Sequence, residues 1–131
     1  MMMQTNKIYF PSIKSVQEAA KNLKGVAAKT PMGLNTNLSK ELNAKIFFKR
    51  EDLQVVRSYK IRGAFNKMSS LSDDEKQRGI VCASAGNHAQ GVAMSCKLLA
   101  IKGTIFMPSP TPNQKIEQVK MFGEEFINIV I

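Results

Sequence analysis

Few of the residues that mark specialised sites occur in this chain. It contains no tryptophan, one histidine (His88) and two cysteines (Cys82 and Cys96), and no two of its glycines are adjacent. Two cysteines build neither a metal cage nor a disulfide scaffold, so we expect no metal site. No run of 18 apolar residues occurs, and no signal-like apolar segment follows the first seven residues. These absences favour a cytoplasmic protein without a membrane partner.

The composition is that of one globular domain with an excess of positive charge. The chain has 131 residues, of which 44% are apolar and 22% are charged, and its 19 lysines and arginines outnumber its 10 acidic residues to give a net charge of +9. The basic residues are scattered, with no run of four like charges and no aromatic stacking motif, so we expect no nucleic-acid partner. The charge favours a solvated surface and anionic small molecules, and a basic binding module stays open as an alternative.

Hydrophobic periodicity and helix caps predict alternating helices and strands. The predicted elements are a helix opened by a capping box at residues 15–18, a helix at 37–42, a strand at 45–49, a helix beginning just after Lys60, a helix opened by a second capping box at 72–75, a strand at 80–83, a helix over 89–99, a strand at 104–107, a helix with Thr111 as cap and Pro112 as first residue, and a strand at 126–131. This order indicates an α/β fold with an open parallel sheet of βαβ units. Because the sequence stops within an apolar strand, we expect it to be the N-terminal piece of a longer protein.

The segment Ser84-Ala85-Gly86-Asn87-His88-Ala89-Gln90-Gly91 follows a predicted strand and opens a predicted helix. Free backbone N–H groups and the helix dipole make such a junction a site for an anion. We expect Gly86 to permit a tight turn and Gly91 to permit close approach of a neighbouring element. An ordinary glycine-containing turn with no ligand is the alternative.

A second segment, Arg57-Ser58-Tyr59-Lys60-Ile61-Arg62-Gly63, places Lys60 at a predicted helix start. The helix dipole and the neighbours Arg57 and Arg62 disfavour a cation there, which favours the neutral amine that a Schiff base requires. A surface lysine in a basic turn is the alternative.

Together these segments resemble the fold-type II pyridoxal-phosphate enzymes, and among them the threonine dehydratases of the biosynthetic type. The motifs that carry the resemblance are Thr30-Pro31-Met32, Lys49-Arg50-Glu51-Asp52-Leu53-Gln54, Ser58 to Ala64, Ser84 to Gly91, and Met107-Pro108 with Thr111-Pro112. The resemblance implies a tryptophan synthase β-like fold. Residues 1–131 would be the N-terminal part of its catalytic domain, with about 1–55 starting the large subdomain, about 56–131 forming an incomplete small subdomain, and no regulatory domain.

The resemblance also implies roles for the matched residues. Lys60 would bind pyridoxal phosphate as a Schiff base and then take the substrate Cα proton. Asn87 would hydrogen-bond the phenolic oxygen of the cofactor, and Tyr59 would pack beside its ring. The substrate carboxylate would be held by the turn formed by Ser84, Ala85, Gly86, Asn87 and His88.

The implied reaction converts L-threonine to 2-oxobutanoate and ammonia, the first step toward isoleucine. Serine dehydratases and serine racemases of this fold are the alternative enzymes, but the racemases carry a hydroxyl where this chain has Ala85. The family's glycine-rich phosphate loop is absent from the sequence, so we expect the 131-residue chain to be inactive alone. A non-catalytic fragment is the remaining alternative, and complete relatives are expected to form homo-oligomers.

Overall fold

Two small sheets and six helices make up the part of the chain that the computed structural model describes, residues 10–131. The helices are α1 (Ile13–Asn22), α2 (Thr36–Glu41), α3 (Lys60–Ser69), α4 (Asp73–Arg78), α5 (Asn87–Leu99) and α6 (Asn113–Gly123). The strands are β1 (Met32–Leu34), β2 (Phe47–Lys49), β3 (Ile80–Ala83), β4 (Gly103–Phe106) and β5 (Ile127–Val130), and single 3-10 turns lie at Glu51–Leu53 and Glu124–Phe126.

The parallel sheet predicted from the βαβ order is confirmed. Its three strands lie in the order β3-β4-β5, and both neighbouring pairs are parallel. The α5 segment connects β3 to β4 and α6 connects β4 to β5, as parallel strands require. Because the carboxyl ends of such strands lie at one edge of the sheet, the segment that follows β3 emerges where ligands bind in open α/β sheets.

The main core lies between this sheet and the helices α5 and α6. Ile105 of β4 is fully buried, and it packs in one cluster with Val92 and Cys96 of α5 and Val119 of α6. The three helical positions follow the helical spacing of apolar residues in the sequence. Cys96 is buried and Cys82 is half-buried, and both are free thiols.

A smaller core joins α3 to the segment after α1. Ile61 and Phe65 of α3 pack with the fully buried Val56, and Leu23 and Val26 cover this cluster. The helix spacing of the α3 residues predicted their burial, whereas the contribution of the 23–26 segment is a long-range contact that no local pattern indicates.

One strand was not predicted. β1 pairs antiparallel with β2, with Gly33 opposite Phe48, whereas the first strand predicted from the sequence lies at 45–49. The strand has three residues with glycine at its centre, so it carries no alternation of apolar and polar side chains.

The predicted cap of α1 was wrong. The helix begins at Ile13 and its N-cap is Ser12, whose hydroxyl accepts a hydrogen bond from the Ser15 N–H at 3.1 Å. The hydroxyl of Ser15 instead donates to the Ser12 carbonyl at 2.7 Å, so Ser15 lies within the first turn. Ser12, three residues before Ser15, has the same hydroxyl group that can cap a helix, so the capping-box pattern predicted the wrong serine as the N-cap.

The start of α6 also differs from the prediction. Pro112 is the N-cap rather than the first helical residue, and the helix begins at Asn113. The Thr111 hydroxyl donates to the Pro108 carbonyl at 2.6 Å, so it does not cap the helix. By contrast, the capping box predicted at Ser72 and Glu75 is formed in full. Within residues 10–131, no helix is both long and apolar enough to cross a membrane.

Candidate functional site

The N-terminus of α5 is an open end of a helix that follows directly from the central parallel sheet. Ser84, Ala85 and Gly86 connect β3 to α5, and Gly86 is the N-cap. No side chain among residues 10–131 caps this end, and its first turn contains no acidic residue. The backbone N–H groups of the first turn therefore remain for an anion, and the helix dipole favours one there.

The other residues predicted at this turn border the same helix end. Asn87 and His88 form the start of α5 and are exposed, while Ser84 is half-buried and its hydroxyl accepts a hydrogen bond from the Gly86 N–H at 3.2 Å. The role predicted for Gly86 in a tight turn was wrong. Its φ is −124°, and a methyl group at this position would meet no atom of the described residues within 4 Å.

Lys60 is the first residue of α3, as predicted from the sequence. Its backbone N–H lies 3.4 Å from the Ser58 hydroxyl, and Tyr59 occupies the N-cap position. The Lys60 ammonium lies 5.1 Å from the centroid of the Tyr59 ring, a cation–π distance. No carboxylate of the described residues lies within 4.0 Å of this amine.

Gly91 brings Lys60 and the N-terminus of α5 together. A methyl group at Gly91 would lie 3.1 Å from both the carbonyl carbon and the carbonyl oxygen of Lys60. The backbone of the lysine thus packs directly on α5, one turn beyond Asn87. The close approach predicted for Gly91 is confirmed, and its partner is the lysine that the sequence singled out.

The sequence suggested that the positive charge of Arg62 disfavours a cation at Lys60, but Arg62 is paired with a carboxylate. Its guanidinium binds Glu51 through two parallel hydrogen bonds, from Nε and Nη2, each 2.8 Å long. The bidentate pair neutralises the charge that was expected to bear on Lys60. The other expected neighbour, Arg57, is exposed and has a left-handed φ of 55°.

Glu51 is the centre of a polar cluster that sequence reasoning missed. The Thr30 hydroxyl donates to Glu51 at 2.6 Å, and the Gln54 amide donates to it at 3.2 Å and to the Ala28 carbonyl at 2.9 Å. The hydrogen bonds from Arg62, with those from Thr30 and Gln54, lower the pKa of the Glu51 carboxyl to about 2. The cluster ties the 28–30 segment to α3, which carries Lys60 at its start.

This arrangement packs the backbone of a lysine on the helix whose N-terminus is able to bind an anion. A neutral lysine amine can attack a carbonyl carbon to form a Schiff base, and the N–H groups of α5 can bind a carboxylate or a phosphate. Asn87 also lines a cleft of about 410 Å³ together with Arg57 and Gln90.

Comparisons with known proteins agree with the fold and the motifs. The family model described as "Pyridoxal-phosphate dependent enzyme" matches residues 23–129. The biosynthetic L-threonine dehydratase of Bacillus subtilis is 55% identical over 119 residues, which are 91% of this chain and 28% of that protein. The corresponding protein of Lactococcus lactis is 54% identical over 118 residues, which are 90% of this chain and 28% of that protein.

Two solved structures extend the comparison to the fold. Maize serine racemase is 36% identical with a TM-score of 0.82, covering 92% of this chain and 36% of its own. The processed threonine deaminase isoform 2 of Solanum lycopersicum is 37% identical with a TM-score of 0.75, covering 95% of this chain and 36% of its own. The chain thus spans little more than a quarter of the curated relatives' length. Since the family model matches most of the sequence, the chain belongs to the pyridoxal-phosphate dependent enzymes.

Proposed function

We propose that this chain carries the lysine half of a threonine dehydratase site, in a protein that converts L-threonine to 2-oxobutanoate and ammonia. The observation that carries the proposal is the packing of Lys60 on Gly91, one turn beyond the uncapped N-terminus of α5. A nucleophilic amine and an anion-binding turn are what an amino-acid substrate and an aldehyde cofactor need from the protein. The identity to biosynthetic threonine dehydratases favours L-threonine as the substrate.

Pyridoxal phosphate fits the residues that the chain provides. Lys60 would hold its aldehyde as a Schiff base, and no carboxylate of the described residues lies within 4.0 Å of this amine to compete for it. Asn87 would hydrogen-bond the phenolic oxygen and Tyr59, which is 59% exposed, would pack beside the ring. When bound, the cofactor supplies an electron sink for the charge that develops at the substrate Cα.

The turn from Ser84 to His88 would bind the substrate carboxylate. First-turn N–H groups of α5 point along the helix axis toward the anion, and Ser84 and Asn87 add polar side chains beside them. Held by its carboxylate, the substrate presents its Cα–H bond to Lys60, whose amine takes the proton. The Cβ–O bond then breaks, and the hydroxyl takes the proton held by Lys60 and leaves as water. A water molecule then hydrolyses the remaining C=N bond, which releases ammonia and forms 2-oxobutanoate.

Ala85 favours elimination over racemisation. A racemase must return a proton to the opposite face of Cα, and a methyl side chain has no proton to give. A serine racemase or a serine dehydratase remains the second candidate, because maize serine racemase is 36% identical over 92% of the chain. Turnover of L-serine compared with L-threonine, and the formation of D-serine, distinguish these candidates.

The proposal also covers the subdomains, the assembly and the cellular location of the enzyme. We place residues 1–55 at the start of the large subdomain and residues 56–131 in the small subdomain of a homo-oligomeric cytoplasmic enzyme that contributes to isoleucine formation. The two separate sheets, β1-β2 and β3-β4-β5, support such a division. The scattered distribution of the positive charge supports small anions as partners in place of nucleic acid.

A chimera tests the proposed activity. This chain would replace the matched 28% of the Bacillus subtilis threonine dehydratase, so that the relative supplies the remaining part of the fold. We expect the chimera to form 2-oxobutanoate from L-threonine in the presence of pyridoxal phosphate, and the chain alone to form none.

Two substitutions in the chimera serve as controls. Lys60→Ala should abolish turnover, with a loss of at least about a thousandfold, because both cofactor attachment and proton removal are lost. Lys67→Ala removes an exposed lysine of the same helix and should leave turnover within about twofold. A folded chimera that lacks activity, or one whose activity survives Lys60→Ala, would contradict the proposal.

A further inference from the structure

A basic groove lies beside α1, away from the residues proposed for the cofactor. It has a volume of about 670 Å³, which is in the range of small-molecule sites. Five cationic side chains line it: Lys21, Lys24, Lys29, Lys49 and Arg62. The other lining residues are alanines, a leucine and a glycine, and none of Lys60 or residues 84–88 is among the lining residues.

The charge in the basic groove is unbalanced. No carboxylate of the described residues lies within 4.0 Å of Lys21, Lys24, Lys29 or Lys49, and no acidic residue lines the groove. Among these five cations, Arg62 alone has an anionic partner within residues 10–131, which is Glu51. Like charges gathered in one concave surface repel each other and raise the local potential, which a bound anion would relieve.

Hydrogen-bond donors in the groove remain available. The Lys49 ammonium donates one of its three hydrogens to the Thr30 carbonyl, and this hydrogen bond holds the cation in place. Arg62 uses Nε and Nη2 for Glu51, and Nη2 also donates to the Ala28 carbonyl at 3.0 Å, whereas Nη1 donates to no acceptor within residues 10–131. The backbone N–H groups of Gly25 and Lys29 likewise donate to no acceptor in this part of the chain.

From these observations we infer that the basic groove binds a phosphorylated small molecule with an apolar body. Lysines bind phosphate as point charges, and a dianion gains about twice the attraction of a single carboxylate from the same cations. The apolar body of the ligand would contact the alanine and leucine side chains that line the groove with the lysines. The inference does not depend on the proposed activity, because it uses none of the proposed catalytic residues.

Phenyl phosphate is the probe that matches this chemistry. Isothermal titration of the 131-residue chain at 50 mM NaCl should show saturable binding to one site, weaker binding at 300 mM NaCl, and weaker binding of inorganic phosphate, which lacks the ring. The double variant Lys21→Gln/Lys24→Gln should weaken the affinity for phenyl phosphate by roughly tenfold.

A matched variant distinguishes the effect of the groove lysines from the effect of the net positive charge of the chain. Lys40→Gln/Lys45→Gln removes the same charge from exposed lysines that do not line the groove, and should leave the affinity within about twofold. Equal weakening by both double variants, or no saturable binding, overturns the inference.

The Lys60→Ala variant distinguishes the groove from the proposed cofactor site. We expect it to retain the affinity of the unmodified chain for phenyl phosphate. Loss of binding in this variant would place the ligand at Lys60 and would also overturn the inference, while leaving the proposed dehydratase function standing.

Discussion

Glu51 joins three segments of the chain through one carboxylate, and one of these segments is the helix α3, which begins at Lys60. Its side chain is 15% exposed, and it accepts hydrogen bonds from Arg62, Thr30 and Gln54. These three partners come from α3, from the segment before β1 and from the turn after β2. The carboxylate is therefore held charged by contacts that exist only in the folded chain.

The stability of the chain should depend on this carboxylate in a defined pH window. The pKa of Glu51 falls from its ordinary value of 4.5 to about 2, so its contribution is fully present above pH 4.5 and is lost as the pH falls toward 2. Urea unfolding at pH 7 should show that Glu51→Gln lowers the free energy of unfolding by about 2 kcal/mol. The gap between the two proteins should shrink on acidification.

Glu41→Gln is the control for that series, because Glu41 forms no ion pair within the described residues. It should unfold like the unmodified chain at each pH. An undiminished gap between Glu51→Gln and the unmodified chain at about pH 2.5 would show that the charge of Glu51 is not the source of its effect.

The sequence could not predict this cluster, although it predicted the start of α3, the helix that contributes Arg62 to it. Lys60 stands at a helix start in a recognisable segment, so local patterns and the family resemblance identify it. Glu51 is 11 residues from Arg62 and 21 residues from Thr30 in the sequence, and no helix or strand spacing relates these residues. The sequence therefore suggested that the charge of Arg62 acts on Lys60, because it did not show that Glu51 neutralises this charge.

At the scale of elements, Gly91 sets the distance between α3 and α5. We expect Gly91→Ala to force the Lys60 backbone away by a few tenths of an ångström, because a methyl group would lie 3.1 Å from its carbonyl. The change should cost about 1 kcal/mol in unfolding free energy and should also reduce the attachment of pyridoxal phosphate to Lys60. Urea unfolding and absorbance of the bound cofactor measure the two effects.

Gly63→Ala is the matched control within α3. A methyl group there meets no atom within 4 Å, so alanine should stabilise the helix by about 0.5–1 kcal/mol and leave cofactor attachment unchanged. If both glycine variants behave alike, the packing of Gly91 on Lys60 does not determine the position of the lysine.

The short helix α4 depends on its cap. Ser72 accepts a hydrogen bond from the Glu75 N–H at 3.2 Å, and the Glu75 carboxylate accepts one from the Ser72 N–H at 2.8 Å. Ser72→Ala should therefore lower the unfolding free energy by about 1 kcal/mol, as judged by urea unfolding. Ser70→Ala, which removes a hydroxyl that donates only to the Lys67 carbonyl, should have a smaller effect.

Elements were predictable where periodicity and caps agreed. The buried faces of α3, α5 and α6 and the strands β3 to β5 follow from residue spacing, and the order of these elements fixed the parallel sheet. The predicted cap of α1 was wrong because Ser12 and Ser15 offer the same capping chemistry. The predicted start of α6 was wrong because the Thr111 hydroxyl donates to the Pro108 carbonyl and does not cap the helix. β1 is too short for any period to appear.

At the scale of the whole molecule, the described residues leave one face of the parallel sheet open. Val81 is 72% exposed and Phe106 is 44% exposed, although parallel sheets usually bury both faces. The curated relatives are more than three times the length of the matched segment. The fold and the family thus follow from the sequence, whereas the roles of Lys60, Tyr59 and residues 84–88 stay predictions for experiment.

The central claim is that Lys60 is the lysine that binds pyridoxal phosphate. Its most direct test is borohydride reduction of the chain mixed with the cofactor, followed by peptide mapping, with Lys60→Ala as the control. We predict that the label is concentrated on Lys60 and that the variant loses it. Label spread evenly over the many lysines of the chain, or unchanged labelling of the variant, would contradict the claim.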